Sequence, residues 1–301
     1  MHVEKPGPVT DRITLLGRRE SCVYLLDGQD EAVILGGGMT CVAPDLFSQI
    51  QAFGIDPEKI RRLIIHHSHF DHVGLVPCLK ARWPWLKITA SARAKAQLQR
   101  PEVVAAIVSL NRMLLPGDDR DLSACLDDCL ELGAIPVDEV LADGDILSCG
   151  DLDLLALAVP GHSSCSMAVY IPQEKAMAAS DAGGIPYGDR VFAAANSNFD
   201  LYQESLKKMA VYPTEVHLSE HYGALTGKAG RGFMARSMAD ARQMRSRVQE
   251  TWDRYKDPEQ TVLAMLAQME DEAKGYFLPK EVMTLVLSQM VRFFQKKEEA
   301  K

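Results

Sequence analysis

The run His66-His67-Ser68-His69-Phe70-Asp71-His72 follows directly on the apolar stretch Leu63-Ile64-Ile65. A buried strand therefore leads straight into a loop dense in metal-binding side chains. Four of the chain's eight histidines fall in those seven positions. His67 and His69 lie two apart and point the same way in an extended segment. Asp71 and His72 lie beyond the bend and reach a second ion. Ligation needs lone pairs that converge without strain, and a loop at a strand's end provides this at close spacing.

Three later segments carry the same residue types. Pro160-Gly161-His162-Ser163-Ser164 follows the predicted strand 152–159, and Ser180-Asp181 follows the predicted strand 176–179. His217-Leu218-Ser219-Glu220-His221-Tyr222-Gly223 closes the series. Each sits where a strand gives way to a loop, so the ligands collect on one edge of a sheet sandwich. Imidazole and carboxylate donors suit zinc, iron or manganese better than a thiolate-seeking ion. His66 fits no HxH spacing and is expected to point away. His217 is expected to be a buried structural group, and Cys165, close behind His162, to pack. Tyr187 and Tyr222 are candidate substrate-binding residues.

The surrounding pattern is that of layered α/β architecture. Strands are predicted at 21–26 and 31–35, joined by a turn at 27–30, then at 63–65 and 86–90. A second β-rich stretch covers 140–141, 146–147, 152–159, 166–171 and 176–179. Helices are predicted at 44–53, 74–83 and 91–116, the last broken at Pro101. Gly36-Gly37-Gly38 reads as a tight turn, because it lacks the Walker lysine and the GxGxxG frame of a phosphate loop. Segment 118–137 is the least legible. Cys125 and Cys129 lie four apart there, on one face of a helix, and are expected to be buried. From residue 227 the character turns helical, with helices at 233–256, 258–273 and 279–297, and Pro258 and Pro279 at helix starts. The expected organisation is a catalytic domain over 1–227 and a helical cap over 228–301 that packs on it and roofs the site. The cap's apolar face is also the expected surface of a homodimer.

Bulk properties narrow the function. The net charge of −8 over 301 residues argues against nucleic acid, which calls for a basic face. No apolar run approaches the roughly 18 residues that span a bilayer, so no membrane partner is expected. The polar first eleven residues lack the apolar core of a secretory leader. Seven scattered cysteines, an odd number, form no disulfide framework. A reduced, cytoplasmic protein acting on a small-molecule substrate is expected.

The order HxHxDH, then separate His, Asp and His, resembles the metallo-β-lactamase superfamily over roughly residues 13–223. The approach Gly54-Ile55-Asp56-Pro57 through Ile65 is similar too. The resemblance implies a four-layer αβ/βα sandwich with a C-terminal helical extension and two divalent metal ions, zinc or iron, with manganese also accommodated. It implies His67, His69 and His162 at the first ion, Asp71, His72 and His221 at the second, and Asp181 bridging. The implied chemistry is hydrolysis by a hydroxide between the ions, with Asp71 and Asp181 catalytic. Within the superfamily the chain most resembles the quinolone-signal-response thioesterases. The likeness lies in its length, in residues 67–77, in Leu110-Asn111-Arg112 with Leu114-Leu115, and in the helical C-terminus. That implies hydrolysis of an acyl-CoA or acyl-glutathione thioester. Two positions depart from those proteins: Ile185 stands where they present a glutamate, and Gly36 where they begin the triplet with an acid. The alternatives are lactone or carboxylic ester hydrolysis at the same metals, and a regulatory protein acting through partner binding.

Overall fold

A computed structural model describes residues 1–115, 120–269, 272 and 274–299. The chain opens with two short strands, β1 (His2–Val3) and β2 (Gly7–Pro8), which go to different sheets. β2 begins a sheet that runs in chain order through β3 (Ile13–Arg18), β4 (Ser21–Asp27), β5 (Ala32–Leu35), β6 (Ile60–Ile64), β7 (Lys87–Ser91) and β8 (Glu139–Leu141). Pairing is antiparallel up to β5 and parallel from there on. Parallel neighbours need crossovers. α1 (Ala43–Ala52) provides the first and α2 (Val76–Arg82) the second. α3 (Ala92–Leu98), α4 (Pro101–Met113) and α5 (Arg120–Leu132) lie in the third.

The second sheet begins with β9 (Ile146–Cys149), β10 (Leu152–Ala158), β11 (Met167–Ile171) and β12 (Ala176–Ala178). A separate hairpin of β13 (Ile185–Tyr187) and β14 (Arg190–Phe192) and helix α6 (Phe199–Ala210) come next. β15 (Val216–Leu218) then pairs parallel to β12, and β16 (Ala224–Thr226) bridges β15 to β1. Three helices close the chain: α7 (Lys228–Tyr255), α8 (Pro258–Met269) and α9 (Lys280–Glu299).

Strand periodicity decides which side chain faces which layer. Leu15, Leu35 and Ile64 of the first sheet meet Leu154, Val169 and Leu218 of the second in one buried cluster between the sheets. Their neighbours Leu16, Ile34 and Leu63 turn outward and pack under α1 to α5. Leu157, Ala168 and Met177 turn outward from the second sheet and pack with α6 to α9. The order is helix, sheet, sheet, helix, as the sequence resemblance implies. Strands covered on both faces must be apolar throughout, which is why all four residues of β5 are buried.

The structure adds elements that the sequence pattern did not give: β1 to β3, the β13–β14 hairpin, β16 and α6. α6 does carry a start signal, since Asn198 Oδ1 accepts from the backbone N–H groups of Asp200 and Leu201. α7 begins at Lys228 rather than at 233. Its early turns contain Gly230 and Gly232, poor helix formers that hide the start. Gly230 is required by packing, because a Cβ there would lie 2.1 Å from Glu215 O. The expected helix end at 116, the segment start at 118 and the expected helix end at 273 lie outside the described residues. Among the described residues no helix is long and apolar enough to cross a membrane.

Candidate metal centre

The four ligand-bearing segments leave their strands at one edge of the sandwich. After β6, a 3₁₀ turn at Phe70–His72 folds Asp71 and His72 back toward the strand end. His162 follows β10, and Asp181 lies in the turn Ser180–Gly183 after β12. The parallel pairing of β12 with β15 sets Ala178 beside Leu218. Asp181 and His221, each three residues further on, therefore emerge side by side.

The loops are held from behind. Gly37 O and Gly38 O accept from Leu75 N and Gly74 N at 2.9 and 2.8 Å. A Cβ on Gly37 would lie 2.3 Å from His72 O. The glycine triplet is thus a cradle for the histidine loop as well as a turn. Asn111 of α4 donates to Phe70 O at 2.8 Å and accepts from Thr40 N at 3.0 Å. Ser180 and Tyr222, the direct neighbours of Asp181 and His221, sit in the left-handed region at φ +47° and +61°. Such non-glycine conformations cost about 1–3 kcal/mol and persist where the surroundings over-determine them.

The side chains converge. His67 Nε2, His69 Nδ1 and His162 Nε2 form a triangle with sides of 3.1, 3.1 and 2.9 Å. Three nitrogens so arranged cannot all satisfy one another with linear hydrogen bonds, but they suit one cation. Ligands at 2.0–2.1 Å from a tetrahedral zinc lie roughly 3.3 Å apart. On the other side, His221 Nε2 lies 3.1 Å from His72 Nε2, and Asp71 Oδ2 lies 3.6 Å from each. Asp181 stands between the two sets. Its Oδ2 is 3.3 Å from His72 Nε2 and 3.5 Å from His162 Nε2, and its Oδ1 is 3.5 Å from His221 Nε2. These residues make up the described groups able to hold a metal ion. Asp181 Oδ1 is buried without a hydrogen bond. An orphaned carboxylate oxygen among convergent imidazoles is what a divalent cation with nitrogen and oxygen ligands would satisfy.

The electrostatics agree. Burial, helped by neighbouring histidines, pushes His69 and His67 down, His69 to about 4. Burial likewise outweighs Asp181 and takes His162 to about 4. All three are neutral near pH 7, the form that ligates metal. Burial also disfavours charge on His72, but Asp181, Asp71 and Glu220 more than offset it and raise its pKa well above 6.5. Burial opposes charge on Asp181 too, yet His72, His221 and His162 hold it low. The centre is a buried anionic pocket that favours a positive charge.

Glu220, which the motif spacing did not single out, is 2 % exposed. Its Oε2 lies 2.7 Å from His72 Nδ1, and its Oε1 lies 2.7 Å from His66 Nδ1. A carboxylate on the far nitrogen of a ligating imidazole fixes the tautomer and the ring orientation. The available signal was an acid next to His221. His66 is in none of the described metal-holding groups. Carbonyls hold two more rings: Ala194 O lies 2.7 Å from His162 Nδ1, and Glu20 O lies 2.6 Å from His221 Nδ1. His217 is fully buried and stacked on Phe233 at 3.9 Å. Cys165 packs with its thiol 3.3 Å from Ser163 Oγ.

The two candidate tyrosines stand one step back. Tyr187 donates to Lys274 O at 2.5 Å, and Tyr222 Oη accepts from Phe277 N at 3.1 Å. What they hold is the segment carrying Tyr276 and Phe277, which does reach the site. Phe277 stacks on His221 with ring centroids 4.5 Å apart. Tyr276 lines a chamber of about 320 Å³ over His69, Asp71, His162, Asp181 and His221. Val103, Ile107 and Leu110 of α4 wall the chamber on one side, and Val282, Leu285 and Val286 of α9 on another. The aromatic pair lies outside regular structure, where no periodicity reveals it.

Residues 16–221 match the family model described as the metallo-beta-lactamase superfamily. A metallo-β-lactamase family protein from Thermus thermophilus is similar in structure, with a TM-score of 0.67, 16% identity, and coverage of 98% of this chain and 93% of that one. An archaeal superfamily protein from Sulfolobus tokodaii matches with a TM-score of 0.56 and 19% identity over 79% of this chain and 84% of that one. The metallo-β-lactamase MIM-1 from Novosphingobium pentaromativorans matches with a TM-score of 0.56 and 19% identity over 80% and 90%. At these identities the structural likenesses speak for the fold.

Proposed function

Because the chain belongs to the metallo-β-lactamase superfamily, we propose that it is a metal-dependent hydrolase that cleaves thioesters at a two-metal centre. The observation that carries this reading is the convergence of five histidines and two aspartates at the floor of an apolar chamber. His67, His69 and His162 would hold one ion. Asp71, His72 and His221 would hold the other, and Asp181, whose two oxygens face both sets, would bridge them. Two such ions supply a water acidified toward neutral pKa and an electrophile for the substrate carbonyl.

The chain's own residues do the rest. The apolar walls take the acyl group and exclude water. Asp71, on the chamber floor, moves a proton toward the leaving atom, and a thiolate needs little such help. Tyr276 Oη is buried without a hydrogen-bond partner and lines the chamber. It is a ready donor to the substrate's carbonyl oxygen. Tyr187 and Tyr222, at ring centroids of 5.3 and 5.8 Å from Tyr276, act on substrate by holding that ring. The thioester preference is supported by the resemblance of residues 67–77, 110–115 and the helical C-terminus to the quinolone-signal-response thioesterases. The position of Asp71 favours one alternative, a lactone or carboxylic ester, whose oxygen leaving atom needs that proton more.

Elemental analysis and thiol release, measured on one sample, test the reading. About two metals per chain with thiol release from acyl-CoA or acyl-glutathione is the expected outcome. Metal without thiol release moves the assignment to lactones and esters, or to a regulatory role through a partner. A metal-free chain that cannot be reconstituted sinks it.

A further inference from the structure

The chamber wall at Tyr276 has a second side. Tyr276 and Leu278 line the chamber, and the same two residues line a separate cavity of about 320 Å³ between α8 and α9. That cavity is as large as the chamber itself. Leu263, Leu266, Met269 and Met283 give it an apolar lining, and Lys280 is its charged residue. Methionine side chains are flexible and polarizable, so such a lining adapts to an irregular apolar guest. Leu263, a large apolar side chain at 64 % exposure on α8, has its place here as cavity wall.

A smaller cavity of about 190 Å³ reaches Tyr276 from beneath the β13–β14 hairpin. An ion cluster lines it, with Glu272 paired to Arg190 at 2.7 Å and to Arg247 at 2.8 Å. Pushing an alkyl chain among those groups would strip them of water, so the α8–α9 cavity is the better host for an apolar group. Among the described residues Tyr276 alone lines all three spaces. Its ring packs on Phe192, Phe277 and Tyr187 at centroid distances of 5.5, 5.0 and 5.3 Å. Its hydroxyl has no hydrogen-bond partner. What Tyr276 gives the wall is therefore the volume of its ring.

We infer that the Tyr276 ring is the stop that sets how long an acyl chain the protein takes, and that the α8–α9 cavity is the space a longer chain enters once the ring is gone. The inference rests on the hydrolase reading above, but only on its placing of the acyl group in the chamber; the leaving group does not matter to it. The reacting end of the chain is held at the floor, at His69, Asp71 and His162, and the tail runs toward the wall. Each methylene buried on the way strengthens binding by roughly fourfold. A methylene that meets the ring finds no further apolar surface, so affinity stops rising with length.

The test is calorimetric binding of straight-chain carboxylates, the products of any acyl substrate, from butanoate to dodecanoate, to the metal-loaded full chain. In wild type, affinity is expected to climb from butanoate and level off before dodecanoate. In Tyr276→Ala it should keep climbing, so that the ratio of dodecanoate to hexanoate affinity rises at least tenfold. Tyr276→Phe keeps the ring and should keep the wild-type ratio, which separates the stop from the hydroxyl. Leu278→Ala thins the same wall at its other residue and should move the ratio in the same direction as Tyr276→Ala. An unchanged ratio in folded Tyr276→Ala overturns the inference, as does a Tyr276→Phe ratio that rises as far as that of the alanine variant. Where Tyr276→Ala does not fold, an unchanged ratio in Leu278→Ala does the same. Thiol release from acyl-N-acetylcysteamine tests the hydrolase reading by itself. Release with an unchanged length profile overturns the stop alone, and neither release nor binding of any carboxylate overturns both.

Discussion

Three side chains carry residue-scale predictions. Glu220 ties His72 to His66, so in the proposed metal centre it would act through the orientation of His72. Glu220→Gln keeps the shape and one acceptor but removes the charge. It is expected to lower metal affinity by roughly 10- to 100-fold, measured by competition with a chelator; unchanged affinity would mean that His72 needs no such partner. Tyr276→Phe removes one unpartnered hydroxyl from the chamber. Metal content should stay at the wild-type level while turnover falls by roughly 100-fold or more, the scale of one lost transition-state donor. If turnover holds, the hydroxyl does not touch the reacting carbonyl. His217 bears on stability. Burial, with Arg236 nearby, pushes its pKa down to about 3. The unfolded chain takes up that proton near pH 6.5 and the folded chain only near 3, so the unfolded state binds more protons in between. This contribution to stability is complete above about pH 6.5 and is lost as pH falls, by about 1.4 kcal/mol per unit. Denaturant melts between pH 7 and 4 should show a shallower acid limb for His217→Phe, and identical limbs would rule the titration out.

At the scale of elements, short loops after strands set the site, and their glycines are fixed by neighbours. Gly161, one residue before His162, has φ +134°, and a Cβ there would lie 2.3 Å from the backbone of Tyr202 at the start of α6. Gly161→Ala must push α6 or the His162 loop aside. The expected cost is about 3 kcal/mol or more in denaturant midpoints, with loss of one metal, read by elemental analysis. A variant with normal stability and full metal would show that the loop yields freely. α9 illustrates how one helix serves two ends. Its inner face buries Leu287, Met290 and Phe294 at 2 % exposure or less, while its neighbouring face lines the cavity. Leu285, an apolar side chain at 56 % exposure, makes sense as chamber wall rather than as surface.

For the whole molecule, the outer cluster of the second sheet joins Ala168, Tyr202 and Leu206 to Phe233, Trp252, Met265 and Met290 of the last three helices. Removing residues 228–301 would expose that cluster. The truncated chain is expected to be insoluble or molten, and a cooperative melt with native circular dichroism would show that 1–227 folds alone. The sequence by itself named the His and Asp residues that converge, in their order along the chain, because ligation needs particular atoms on short loops and the run at His67–His72 permits few alternatives. It also determined β4 to β7 of the first sheet and the helical C-terminus, where apolar runs or periodicity are strong, though it passed over the six-residue β3. Two-residue strands such as β1, and the hairpin β13–β14, are too short to show a period, so only pairing with distant partners defines them. The tertiary structure alone decided that Glu220 stands behind His72, that Gly37 cradles the loop, and that Tyr276 rather than Tyr187 or Tyr222 lines the chamber. These are contacts between residues far apart in sequence, and a linear pattern records which side chains are present, while packing decides which of them meet.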